Sequence, residues 1–226
     1  MRDRSPLPRI VAACFVGLLL LTLQLGSARS DTWQARVDWV PDGDTLFLQS
    51  GQKIRLKGID APETGGDKGH AQYYAHESRQ GLWSLVEGAE LALEAESLDA
   101  DRYGRILAYV WLPDGSLLNE ELLARGFAFY YPHPDQEQEY SERLLQAQKR
   151  AMHQRLGFWP RILQGERASQ EYLGNKRSMR FHTLDCAFGQ SISPKNRISF
   201  SGLREAFEAG FAPGRKCTPW PLAKER

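Results

Sequence analysis

Three short runs rich in Val, Ile, Leu and Phe, residues 32–40, 45–49 and 53–59, follow one another with the turn signals Pro41-Asp42-Gly43-Asp44 and Ser50-Gly51 between them. Such short connections reverse the chain, so the runs read as successive antiparallel strands. Residues 70–86 then show helical spacing through Tyr74, Ser78, Leu82 and Leu85. Leu91, Leu93 and Ala95 alternate as in a half-buried strand, and Ile106 to Leu112 forms a fifth strand after the turn Asp101-Arg102-Tyr103-Gly104. Ser116 is expected to cap a helix running to Arg125, with Gly126 as its left-handed terminator, and a longer helix spans about 136–155, before Gly157. The fold class expected is mainly β with α (α+β): an OB-type five-stranded Greek-key barrel with three helices, plus a small C-terminal α+β unit.

At 42% hydrophobic and 25% charged positions, the 226-residue chain is neither disordered nor fibrous. Arg2, Arg4 and Arg9 precede an apolar run from Ile10 to Leu25 and the small residues Gly26-Ser27-Ala28, which reads as a signal peptide over residues 1–28, cleaved near Ala28. The apolar run falls short of the ~20 residues that a spanning helix needs. With the leader cleaved, a secreted or periplasmic, monomeric protein without stable membrane association is expected; left uncleaved, the run would be an anchor. Residues 29–159 carry 14 basic against 21 acidic side chains, whereas residues 160–226 carry 12 against 6. An acidic body suits cations and a basic tail suits polyanions, although two independently solvated surfaces would give the same counts. The body is placed at 29–160, a linker at 161–171 after Pro160, and a second unit at 172–226. That unit is too small for a large core, so a metal, a disulfide or docking onto the body should hold it.

The residues that could carry chemistry fall in four places. Asp42-Gly43-Asp44-Thr45 could be a plain hairpin turn. Asp60-Ala61-Pro62-Glu63 ends the third strand, with Pro62 preventing its continuation. Carboxylates and a backbone carbonyl meeting at strand ends make an oxygen-only cage that favours Ca²⁺ over a soft metal, the bland reading being a solvated acidic rim. Arg55, five residues before Asp60, could be a structural ion pair, and Arg105 in the Asp101–Arg105 turn could be solvated. Two permanently charged guanidiniums beside a cation would instead suit the extra negative charge of a phosphodiester transition state.

The series D-G-D-T, R-L-K-G-I-D-A-P-E, D-R-Y-G-R and N-E-E-L-L-A-R-G, closed by G-F-W, resembles the staphylococcal nuclease (thermonuclease-like) family from about Val37 to Trp159. The resemblance implies an OB-type barrel that hydrolyses DNA or RNA, by endo- and exonuclease action, to 3′-phosphate ends. It implies one Ca²⁺ held by Asp44, Asp60 and the carbonyl of Ala61, where many relatives have Thr. It places Glu63 as general base and Arg55 and Arg105 on the phosphate. Tyr103 matches a nucleotide-binding position, and Tyr130 or Tyr131 would replace two further tyrosines that align with Pro132 and Pro134.

The stretch beginning Y-L-G-N-K-R-S-M-R-F-H-T-L-D-C resembles the small metal-binding domain of Ada-type DNA-repair proteins. His182, Cys186 and Cys217 match its ligands, but Gly214 stands where a further cysteine belongs, leaving three candidates for a Zn²⁺ site that normally takes four. Zn²⁺ is therefore not expected here. After leader removal Cys186 and Cys217 are the remaining cysteines, and a disulfide between them would close a loop of about thirty residues, stabilising by on the order of 3 to 4 kcal/mol. Lys176, Arg177, Arg180, Lys195, Arg197, Arg215 and Lys216 would grip nucleic-acid backbone without reading sequence. On that reading, deleting residues 165–226 weakens binding but spares cleavage of short substrates. Two alternatives stay open: a non-catalytic nucleic-acid-binding module on the same fold, and a Ca²⁺-stabilised envelope adhesin.

Overall fold

The computed structural model describes residues 31–65, 70–216 and 220–223. The leader, Cys14 and Cys217 lie outside the described residues. Strands β1 (Asp31–Trp39), β2 (Thr45–Leu48), β3 (Lys53–Leu56), β5 (Glu90–Ala95) and β6 (Ile106–Trp111) close into a barrel in the order β1-β2-β3-β6-β5. All neighbours are antiparallel except β3 and β6, whose parallel pairing puts Arg55 opposite Leu107. Alternate residues fill the interior: Leu46, Ile54, Leu91, Leu93 and Val110 have no exposed surface. Each such side chain contributes about 1.5–3 kcal/mol by leaving water.

The third strand is shorter than its sequence suggests. It stops at Leu56, Gly58 turns the chain with φ +81°, and β4 (Ile59–Asp60) leaves the barrel to pair with β7 (Phe129–Tyr130). Glycine is needed there because the left-handed region strains any residue with a Cβ. Asn119, fully buried on α2 (Leu118–Ala124), fixes this turn: its Nδ2 donates to the Lys57 carbonyl at 2.8 Å and its Oδ1 accepts from the Val110 N–H at 3.0 Å.

Two helix starts differ from expectation. Helix α1 runs Ala75–Val86 and not from residue 70, because Gln72 and Tyr73 give their N–H groups to the carbonyls of Glu63 and Pro221, and Tyr74 is left-handed at φ 71°. Ser116 does not cap α2: its hydroxyl and N–H both donate back to Asp114 Oδ1, and Leu117 takes the cap position without a side-chain bond. Helix α3 spans Gln138–Gln154 and ends on left-handed Arg155.

The segment expected to be a linker begins inside a helix. Pro160 occupies the first turn of α4 (Trp159–Ile162), where its missing N–H costs nothing, and Trp159 and Ile162 are buried. Beyond it, β8 (Tyr172–Asn175), β9 (Arg180–Thr183), α5 (Ala187–Gln190), β10 (Arg197–Phe200), α6 (Leu203–Glu208) and β11 (Ala212–Pro213) build a four-stranded sheet in the order β10-β8-β9-β11. Tyr172, Phe181, Phe207 and Trp220 share one core with Phe129, Met152, Phe158 and Trp159 of the barrel side. Trp220 stacks on Phe129 at 5.0 Å, and Gln148 on α3 links the halves, accepting from the Tyr130 N–H and donating to the Phe207 carbonyl. Docking, one of the three devices expected for this unit, is present. No described helix is long and apolar enough to cross a membrane.

Candidate active site

The site lies where the β1–β2 loop, β3, β4 and the start of α1 meet. Gly43 lets the loop in: a Cβ there would stand 2.8 Å from the Cβ atoms of Ala61 and Ser78. The loop then places Asp44 against the chain after β4, so that its Oδ2 accepts the Ala61 N–H at 2.8 Å and its Oδ1 accepts the Thr45 hydroxyl at 3.0 Å. Arg55 pairs across the ladder with Thr45 and, since Ile54 and Leu56 face the core, lies on the opposite side of β3. Its Nη2 is 2.7 Å from Asp60 Oδ1 and 3.0 Å from Asp44 Oδ2, while its Nη1 donates at 2.8 Å to the carbonyls of both Leu56 and Ile59. One buried guanidinium thus ties β3, β4 and the loop together.

Negative charge is in excess here. Burial pushes Asp60 above the ordinary carboxylate range, Arg55 pulling it back and Asp44 adding to the rise. Asp42, which accepts the Asp44 N–H, is pushed up to about 7 by burial and then by Asp44. Burial works against the charge on Arg55, but Asp44, Asp60 and Asp42 outweigh it and hold the guanidinium protonated. Glu63 stands at the rim with its side chain 52% exposed, and Gln72 clamps its backbone, accepting the Glu63 N–H through Oε1 and donating its own N–H to the Glu63 carbonyl.

The sequence-derived residues do not all assemble. Asp44, Asp60, Ala61, Glu63 and Arg55 come together. Arg105 precedes Ile106, whose ladder partner is Ile54, and its Nε and Nη2 both donate to Asp101 Oδ2, its hydrogen-bond partner among the described residues. Tyr103 is 60% exposed, with the guanidinium carbons of Arg102 and Arg105 4.9 and 5.0 Å from its ring centre. Tyr130 is a core residue and offers no free ring face, whereas Tyr131 is partly buried beneath Arg180, whose guanidinium lies 3.5 Å from the ring centre.

Three residues at the site carry no local sequence signal: Gln72, Trp220 and Arg215. Arg215 Nη2 lies 2.7 Å from Asp60 Oδ1 and 3.8 Å from Glu63 Oε1. With Ala61, these residues line a cleft of about 70 Å³. A basic tail announces affinity for polyanions, but nothing in its spacing places one of its arginines on a carboxylate 155 positions away.

The donor set can be matched to a cation. Among the described residues no three His, Cys, Asp or Glu side chains form a ready cage. Asp44 and Asp60 are nevertheless held together, and Asp60 Oδ2 accepts nothing from the described residues. Two carboxylates, a backbone oxygen and water form the irregular all-oxygen shell that Ca²⁺ accepts, so the residues fit that ion.

An acid–guanidinium cluster at the edge of a closed five-stranded barrel suits phosphodiester chemistry, and comparison with known proteins identifies the class. A family model for staphylococcal nuclease homologues matches residues 53–161. The thermonuclease of Staphylococcus hyicus is 35% identical over 141 residues, 60% of this chain and 79% of that protein. The thermonuclease of Staphylococcus intermedius is 35% identical over 127 residues, 54% of this chain and 73% of that protein. An uncharacterized endonuclease of Escherichia coli is 36% identical over 128 residues, 55% of this chain and 75% of that protein. The chain belongs to the staphylococcal nuclease family and is a phosphodiester-hydrolysing nuclease.

Proposed function

We propose that this is a secreted or periplasmic, monomeric, Ca²⁺-dependent nuclease that cuts DNA or RNA by attack of water on phosphorus, leaving 3′-phosphate ends. The observation that carries this reading is the meeting of Asp44, Asp60, Arg55 and Glu63 at one edge of the barrel. Asp44, Asp60 and the Ala61 carbonyl would hold Ca²⁺, which supplies positive charge to polarise the phosphoryl group. Glu63, at the open rim, takes the proton from the attacking water. Arg55 holds both aspartates in register and presents fixed positive charge to the phosphate, and Arg105, whose Nε and Nη2 are engaged by Asp101, would join it through Nη1. Tyr103 and Tyr131 are the rings available to bases.

The tail belongs to the same reading. The Gly214 N–H donates to the Phe181 carbonyl at 2.8 Å, and Lys216 lies 5.3 Å from the Phe188 ring, so the chain approaching position 217 runs beside the one carrying Cys186. A Cys186–Cys217 disulfide as the staple of this unit is supported by that proximity.

Glu63→Gln tests the base. Because the side chain is half exposed and its carboxylate meets Arg215 only at 3.8 Å, the variant should fold as the parent does. Its cleavage rate on plasmid or single-stranded DNA should fall by about 10²- to 10⁴-fold. An unchanged rate removes Glu63 from the chemistry, and no cleavage by the parent protein itself would favour a binding module without turnover.

A further inference from the structure

Arg215 lies outside the family-matched span of residues 53–161, yet its guanidinium stands between the two carboxylates that the nuclease reading makes metal ligand and base. The site's other guanidinium has little left to offer a substrate. Of the five N–H groups of Arg55, those on Nη1 serve two carbonyls and those on Nη2 serve two carboxylates, leaving Nε–H. Arg105 gives Nε and Nη2 to Asp101. Arg215 differs in exposure: its side chain is 60% exposed against 10% for Arg55, and its hydrogen bond to Asp60 uses Nη2 alone. Its guanidinium carbon lies 5.9 Å from the centre of the Tyr131 ring.

The position of Arg215 is set from both sides. Before it, β11 pairs with β9, and Arg180 on β9 donates to the Pro132 carbonyl. After it, Trp220 Nε1 donates to the Tyr73 carbonyl, the Tyr73 N–H to the Pro221 carbonyl and the Ala223 N–H to the Ala71 carbonyl, while Leu222 bridges Gln72. Gln72 is the residue that clamps Glu63. The C-terminal unit is therefore built into the support of the base. A phosphodiester arriving here meets Asp42, Asp44, Asp60 and Glu63, and an accessible guanidinium at this point offsets that repulsion.

We infer that Arg215 is a substrate-contacting arginine, supplied by the C-terminal unit to hold a non-bridging oxygen of the scissile phosphate beside Glu63. The inference rests on the nuclease reading of this cluster. A guanidinium suits the task because its planar fork can keep Asp60 on one nitrogen while donating to the phosphate from another.

The test uses the mature full-length protein, Arg215→Ala and Arg215→Lys. With a single-stranded oligonucleotide, kcat/KM should fall about 10²- to 10³-fold in Arg215→Ala, with incomplete recovery in Arg215→Lys, which keeps the charge and loses the fork. Fluorescence anisotropy gives a readout free of turnover. In a Glu63→Gln background without divalent cation, adding Arg215→Ala should lower the slope of log affinity against log salt by about 0.7, the effect of losing one phosphate contact on a single strand. Unchanged kcat/KM together with an unchanged slope overturns the inference. So does faster cleavage by Arg215→Ala, which would make the residue a plug over the site. The two readings fail separately: if Glu63→Gln cleaves like the parent, the nuclease assignment of this cluster falls, whereas the salt slope still reports on Arg215. Should Arg215→Ala not fold, Arg215→Gln, which keeps a hydrogen-bonding planar head, takes its place in both arms.

Discussion

A chain cut after Leu163 should not yield a folded nuclease. Phe129, Met152, Phe158 and Trp159 are buried against Tyr172, Phe181, Phe207 and Trp220, and deletion leaves the first four facing water. At about 1.5–3 kcal/mol for each buried side chain, their exposure costs roughly 6–12 kcal/mol. A whole domain is stable by about 5–15 kcal/mol, so the loss is comparable with everything that keeps the barrel folded. Circular dichroism melting of the truncated protein should show no cooperative transition, or one lowered by tens of degrees, and cleavage of short oligonucleotides should be lost as well. A truncated protein that melts near the intact one and cuts short substrates at the parent rate would mean that the shared core contributes little. The sequence suggested that milder outcome, because a basic tail after Pro160 reads as an appendage. The aromatic residues on the two sides of that proline are far apart in sequence, and their mutual packing leaves no local trace.

Arg55→Ala should combine the largest loss of activity with the largest loss of stability expected from a single substitution at the site. Removing the guanidinium leaves Asp44 and Asp60 close together and buried, and it strips the Leu56 and Ile59 carbonyls of a donor. Breaking a buried pair by deleting one partner typically costs about 3–5 kcal/mol. Urea denaturation should show this as a lower midpoint with an unchanged slope, and cleavage should be undetectable where Glu63→Gln still shows a residue of activity. Stability within about 0.5 kcal/mol of the parent would show that water or a bound cation can replace the guanidinium.

The parts of the site that were legible in sequence are those built by neighbours. Asp44, Arg55 and Asp60 sit on β2's entry, β3 and β4, joined by short turns, so the barrel's own closure brings them together. The split of the third strand was hidden because charged and apolar residues alternate from Lys53 to Lys57 as in one uninterrupted strand, with Ile59 following, and Gly58 alone marks the break. Ser116 carried a true capping signal, but Asp114, two residues earlier, competes for the same hydroxyl. The start of α1 was misplaced because the amides of Gln72 and Tyr73 find partners at Glu63 and Pro221, the second of them supplied by the far end of the chain. Arg215 was visible as one of several tail cations and in no other way. Its role depends on β11 lying against β9 and on Trp220 entering the Phe129 stack, contacts that sequence spacing does not encode.

The most direct measurement is digestion of plasmid and single-stranded DNA by the purified protein in Ca²⁺ and in chelator, with Glu63→Gln alongside. Cleavage by the parent in Ca²⁺, its loss in chelator, recovery on returning Ca²⁺ and a rate about 10²- to 10⁴-fold lower in Glu63→Gln are the results expected of a cation-dependent phosphodiesterase site at Asp44, Asp60 and Glu63. Equal cleavage in chelator, or equal cleavage by Glu63→Gln, would contradict it.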